Sequence, residues 1–293
     1  MEIFTMPFMI RAIVAAGLAG VSAPTIGTYI VQRRLSLLGD GLGHVAIAGV
    51  GLALMTGAAP LPVAVVVCVL GALLIEWLRQ RGRATGDIGL AVLFYGGLAA
   101  GVLMASVAGQ GAGGLSAYLF GSLVTMSPTD LVIVVCLSVV VLLLAVGLSP
   151  QLFAVCADEE FARVLGLPVR LYNYLIVVLA AATVTTAMRT VGLLLVSALM
   201  VIPVATAQNI FRGFWHGMAG SMVIGLIAAL TGVVGSYYAD LAPGALIVVV
   251  SIVFFALSWP LSSILHRNHR RSSPRGRRTD DPATSPLAAG KEA

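Results

Sequence analysis

The chain has 293 residues, 59% of them apolar and only 10% charged, with a formal net charge of +5. A soluble domain typically carries about 25% charged residues, and here the apolar excess comes in blocks of roughly 20, the length that crosses a hydrocarbon core. That excludes an ordinary soluble enzyme and predicts an all-α, polytopic helical membrane protein.

In chain order, the first apolar block is 8–32. It is too long for the apolar core of a secretory leader and shows no clear cleavage site, so it reads as a span. Blocks follow at 36–57, 61–79, 87–108, 129–149, 170–188, 191–211, 217–237 and 243–265. The stretch 114–124 is too short to cross comfortably and reads as a re-entrant or interfacial piece. The expected count is eight to nine transmembrane helices. Pro24 and Pro203 fall inside spans and predict kinks.

Charge orients the spans. With Arg33 and Arg34 cytoplasmic, alternation also puts Arg79, Arg81, Arg83, Arg163, Arg170, Arg212 and the C-terminal tail inside, leaving Arg11 and Arg189 near the outer face. Fifteen of 17 basic residues inside is a strong positive-inside pattern. It predicts an outer N-terminus and a cytoplasmic C-terminus. The membrane domain is expected over 1–265. The tail, 266–293, is rich in Arg, Ser, Pro and Asp and is expected to be disordered; its basic charge suits topology and lipid headgroups rather than nucleic acid.

The stretch "RRLSLLGDGLGHVAIAGVGLAL" (33–54) places an acid and an imidazole at the start of a span. Asp40 and His44 are i and i+4, so they share one helix face with Cβ atoms about 6 Å apart. A carboxylate and a neutral imidazole suit a divalent transition metal, and they also suit a proton relay. Asp40 as a cap at the membrane edge stays open beside these. Gly39, Gly41 and Gly43 are interleaved with them; Gly39 and Gly43 form a GxxxG that permits close helix approach, and three glycines in five residues also soften the helix.

The one substantial polar segment between spans is "CADEEFARVLGLPVRLYN" (156–173). Asp158, Glu159 and Glu160 suit a helix N-terminus, Phe161, Val164 and Leu165 form an apolar stripe, Gly166 can close the helix and Pro168 stops it. The spacing predicts a short amphipathic helix over about 157–167 that a soluble partner can grip. The only lysine is Lys291 and no G-x-x-x-x-G-K-[ST] occurs, so the chain has no Walker-type phosphate loop. Glu76, Asp87 and Asp130 near span ends read as interfacial, Arg189 and Asp240 as solvated near the outer face, and His216 as interfacial. His266 and His269 in the tail make a poor metal site. Cys68, Cys136 and Cys156 form no CxxC pair and read as small apolar filler.

Four ordered motifs, "RRLSLLGDGLGHVAIAGVGLAL" (33–54), "LSAYLFGSLVTMS" (115–127), "DEEFARVLGLPV" (158–169) and "VGLLLVSALMVIPVATA" (191–207), together resemble the bacterial zinc/manganese/iron-type ABC transporter permeases. The resemblance covers nearly all of 8–265. It implies a type II-like importer permease in the bacterial cytoplasmic (inner) membrane, without catalytic residues or a resident cofactor. The partners it implies are a second permease copy, an ABC ATPase and an extracytoplasmic metal-binding protein. Asp40 and His44 match the family's Asp-x-x-x-His on the translocation path. Glu160, Ala162 and Gly166 fall on its E-x-A-x-x-x-G pattern, which implies an ATPase-docking set of Asp158, Glu159, Glu160, Ala162, Arg163, Gly166 and Leu167. Gly39, Gly41, Gly43 and Pro203 are then helix-packing or hinge positions. Gly41 and Gly43 stand where relatives often carry Ala and Ser, which predicts a less rigid helix. The imidazole favours zinc as cargo, with manganese and iron admitted by the same donors. The competing expectation is a proton-coupled secondary metal carrier working through Asp40 and His44.

Overall fold

Each expected apolar block forms a helix in the computed structural model, which describes residues 7–81, 86–109, 111–121, 127–239 and 241–271. Among these residues every regular element is helical. In order they are α1 (Pro7–Gln32), α2 (Leu38–Thr56), α3 (Pro60–Gln80), α4 (Gly86–Val107), α5 (Gly111–Phe120), α6 (Pro128–Gly147), α7 (Ser149–Ala157), α8 (Glu159–Val164), α9 (Val169–Val191), α10 (Leu193–Ile210), α11 (Phe214–Ala239) and α12 (Pro243–Arg271). Eight are long and apolar enough to cross a membrane: α1, α2, α3, α4, α6, α9, α11 and α12. The ninth expected block, α10, holds a shorter apolar stretch, Leu195–Ile210. α12 continues six residues past the expected boundary at 265, and the rest of the tail lies outside the described residues, as do Asp87's side chain and Asp240.

Local chemistry sets the helix ends. Pro60 opens α3 and Pro128 opens α6, where a missing N–H costs nothing. Ser127 and Asp130 form a reciprocal capping box at the start of α6. Gly57 closes α2 in a left-handed turn, φ 71°, donating its N–H to the Ala53 carbonyl. Pro24 and Pro203 both lie inside continuous helices, α1 and α10.

α2 and α9 form the buried centre, and α4 and α6 lie at the periphery. α2 owes its position to small residues. It packs most extensively with α4, and the crossing is made at Gly97 and Gly101. A Cβ at Gly97 would fall 2.7 Å from the carbonyl of His44, and one at Gly101 would fall 2.4 Å from the Ile47 side chain. Backbones meet there because neither residue of this second GxxxG has a side chain. α9 buries four threonines, Thr183, Thr185, Thr186 and Thr190, each donating its hydroxyl to a carbonyl one turn back. Their polar atoms are thereby satisfied without a neighbour.

Polar side chains gather at the two ends of α9. At its N-terminal end Asn173 joins Arg33 and Arg79 around the carboxylate of Glu159; at its C-terminal end Arg189 meets Asp130 and Tyr118. Arg33, Arg79 and Arg163 therefore share one end of the bundle, as the charge alternation requires. Two expectations change. Glu76 is not interfacial but 1% exposed, held by Arg79 through two hydrogen bonds of 2.9 Å. Arg189 is not solvated but 9% exposed, because α5 and α6 cover the last turn of α9 and supply its partners.

Candidate functional site

The first candidate site is the start of α2. Leu37 takes the cap position with no side-chain cap bond, and Asp40 lies in the first turn, where the helix dipole favours a carboxylate. Half-buried Asp40 lines a cavity of about 220 Å³ together with Leu90, Phe94 and Tyr95 of α4. His44, one turn further along, is 5% exposed. Its ring meets that of Phe94 edge-on, with centroids 3.9 Å apart. Its Nδ1 is buried and has no hydrogen-bond partner. Asp40 and His44 thus border the same aromatic residue, the acid at the cavity and the imidazole behind it. A buried imidazole nitrogen without a partner is costly, and metal ligation is one way to satisfy it.

The three glycines pack rather than unwind. α2 is a continuous helix from Leu38, with Gly39 against Ser197 and Met200 of α10, Gly41 against Leu90 of α4, and Gly43 against Leu193 of α10. The softening expected from glycine content is offset by neighbours on both sides. Among the described residues no group of three or more His, Cys, Asp and Glu converges, so one chain offers this pair and no fuller ligand cage.

The second candidate site is α8. Asp158 caps it, its carboxylate accepting from the backbone N–H groups of Glu160 and Phe161 at 2.9 and 3.0 Å. At the other end Gly166, φ 79°, donates to the Arg163 carbonyl and Leu167 donates to that of Ala162, a Schellman closure. Ala162 is fully buried and Leu167 packs beside it with Val155, Val169 and Tyr172. Phe161, Val164 and Leu165 are 57%, 85% and 57% exposed, and Glu160, Arg163 and Gly166 are exposed with them. The expected amphipathic helix therefore exists, with its apolar stripe turned outward. Glu159 differs from the rest of the acidic set: its carboxylate turns inward, accepting from Arg33 Nη2 at 2.8 Å and Asn173 Nδ2 at 3.1 Å. Beside it, burial pushes the Cys156 thiol up to about 12, so it stays neutral.

Sequence reasoning missed α7, Phe94 and the Gly97–Gly101 crossing. Ser149–Pro150 was a legible helix start for α7, and the GxxxG spacing was legible for the crossing; Phe94 carried no local signal.

The model of the ABC 3 transport family matches residues 5–261, and the chain belongs to that family of metal-importer permeases. It is 30% identical to the manganese import system permease protein ScaB of Streptococcus parasanguinis over 91% of this chain and 95% of that one. It is 29% identical to the chelated iron transport system membrane protein YfeD of Yersinia pestis over 97% of this chain and 96% of that one. Its fold matches the solved PsaBC from Streptococcus pneumoniae, in complex with Fab, at a TM-score of 0.81 and 28% identity, covering 91% of this chain and 97% of that one.

Proposed function

We propose that the chain is the membrane-spanning subunit of an ATP-driven importer that carries a divalent transition metal into the cytoplasm. Asp40 and His44 form a transient stop on the path. The observation that supports this most directly is the unpartnered, buried Nδ1 of His44 one turn behind a carboxylate that lines a cavity. Two protein donors with water completing the shell would bind a cargo ion weakly enough to release it. A second copy bringing its own pair would supply four donors at a shared axis.

α8 is the docking element for a separate ATPase, since the chain has no phosphate loop of its own. Its exposed apolar stripe, with Glu160, Arg163 and Gly166 around it, is the face offered. An extracytoplasmic binding protein delivers the ion to the opposite side. The basic end of the bundle, with Arg33, Arg79 and Arg163, faces the cytoplasm.

Donor chemistry alone leans to zinc. The relatives named for manganese and chelated iron weigh against that lean, and manganese is the cargo proposed here. Family membership likewise weighs against the proton-coupled carrier. The test is uptake of radiolabelled Mn²⁺ into proteoliposomes holding the permease and its ATPase and supplied with the binding protein, with Zn²⁺ and Fe²⁺ as competitors. ATP-dependent uptake that survives an uncoupler is expected. Uptake that instead collapses with the proton gradient would sink the importer reading, and preferential competition by Zn²⁺ would restore zinc.

A further inference from the structure

Glu159 stands on the docking helix with 37% of its side chain exposed, yet its carboxylate is held by side chains of the permease body. One oxygen, Oε1, accepts from Arg33 Nη2 at 2.8 Å and from Asn173 Nδ2 at 3.1 Å, and Arg79 Nη2 lies 4.0 Å away. The other, Oε2, is 3.7 Å from Arg163 Nη2. Two hydrogen-bond donors, Arg33 and Asn173, and two further cations, Arg79 and Arg163, thus converge on one side chain from α1's end, α9, α3 and α8 itself. Arg79 is anchored in turn by buried Glu76. Arg33, the strongest partner, keeps only 5% of its side chain exposed.

Arg33 also stands at the entry to the turn that leads into α2, the helix that carries Asp40 and His44. It follows α1 directly, and the next residue, Arg34, is held in the left-handed region at φ 57°. Leu35 donates its N–H back to Ile30, and Leu38 donates to Leu35, so the turn into α2 is closed by its own hydrogen bonds. Asp40 comes two residues into α2. A tight, hydrogen-bonded turn transmits displacement better than a slack loop would. The network is also not saturated: Arg33 Nη1 and Asn173 Oδ1 are buried without a partner. A movement of α8 can therefore change which groups pair.

We propose that Glu159 is a positioning residue for transport, distinct from the surface that binds the ATPase. It links the motion of α8, through Arg33 and the Arg34 turn, to the first turns of α2 that carry Asp40 and His44. This rests on the reading of α8 as the ATPase-docking helix. The outward residues hold the partner, and Glu159 carries the partner's movement inward.

The experiment uses the permease–ATPase complex in proteoliposomes supplied with the extracytoplasmic binding protein and with Mn²⁺ as the transported probe, comparing wild type, Glu159→Gln, Arg33→Gln and the double variant. ATPase retained on co-purification, ATP hydrolysis, and Mn²⁺ moved per ATP are read in each. The expected result is full retention of the ATPase and continued hydrolysis, with Mn²⁺ moved per ATP falling about tenfold in either single variant. The double variant should fall no further, because both changes cut the same link. Glu159→Asp, which keeps the charge but is one methylene short, should fall by less, and it serves where Glu159→Gln accumulates poorly. Loss of the ATPase from Glu159→Gln would make Glu159 a docking contact and overturn the proposal. So would unchanged Mn²⁺ per ATP, or losses that multiply in the double variant. A wild-type complex without ATP-driven uptake would overturn the importer reading itself, which the wild-type arm distinguishes from failure of the Glu159 link alone.

Discussion

The guanidinium of Arg189 and the carboxylate of Asp130 meet at 2.5 Å, tying the last turn of α9 to the first turn of α6. The pair is 59 residues apart in sequence, and the Arg189 side chain keeps 10% exposure against 17% for Asp130. Tyr118 of α5 lies below the guanidinium, 5.1 Å from ring centroid to Cζ. Removing one partner leaves the other charge buried, which is the expensive outcome for such a pair. Arg189→Gln should cost about 3 kcal/mol, the low end for a buried pair because Asp130 is not fully enclosed. Thermal unfolding in detergent checks this. Arg189→Gln combined with Asp130→Asn, which keeps the cap on α6, should recover most of the loss; equal destabilisation of single and double variants would show that the pair is not what stabilises this end.

That pair also marks the limit of what the sequence discloses. Spans, the short amphipathic helix and its glycine stop follow from hydropathy, periodicity and cap chemistry, all of which are local. Asp40 and His44 were visible for the same reason, lying one turn apart on one helix. Arg189 looked solvated and Glu76 interfacial because burial at a span end depends on which distant helix covers it. Asp130 and Arg79, which decide the matter, were legible as charges but not as partners. In the sequence Glu159 belongs with its helix, whereas its orientation is set by Arg33, 126 residues earlier.

Gly96 and Gly97 are adjacent and predict opposite responses. A Cβ at Gly97 would lie 2.7 Å from the backbone of His44, while one at Gly96 meets nothing within 4 Å. Gly97→Ala should force α4 away from α2 and cost about 1–3 kcal/mol, as overpacking does. Gly96→Ala should stay within about 0.5 kcal/mol of wild type. Unfolding temperatures of the two variants provide the comparison. Because the displaced atoms belong to His44, Gly97→Ala should also reduce Mn²⁺ uptake; equal stability of both variants would contradict the close crossing.

On α8, the outward residues should govern attachment of the ATPase. Val164→Asp or Leu165→Asp places a charge where an apolar contact is expected, and should weaken binding by about 2 kcal/mol or more. Glu160→Lys reverses an exposed charge on the same helix and should weaken it as well. Gly166→Pro acts differently: proline cannot adopt φ 79° and removes the N–H that bonds Arg163, so the helix end opens. Co-purification of tagged permease with the ATPase measures all four. Full recovery of the ATPase with the two aspartate variants would move the docking surface elsewhere.

The sharpest demand falls on Asp40 and His44. Neither is a close-approach position in the way Gly97 is: Asp40 borders a cavity, and His44, though its ring packs on Phe94, leaves its Nδ1 engaging nothing. Asp40→Ala and His44→Ala should therefore leave the amount of protein in the membrane unchanged while lowering Mn²⁺ uptake about tenfold or more, the scale on which metal sites respond to lost support. His44→Gln, which keeps volume and a hydrogen-bonding group but lacks the imidazole, should fail like His44→Ala if the nitrogen is a ligand. Asp40→Glu should retain part of the uptake, because the carboxylate remains and the cavity accepts a longer side chain. Asp40→Asn should not, since it preserves shape and removes the charge. Uptake by Asp40→Asn equal to wild type would reduce Asp40 to a residue at the helix start and leave His44 as the one donor of the pair.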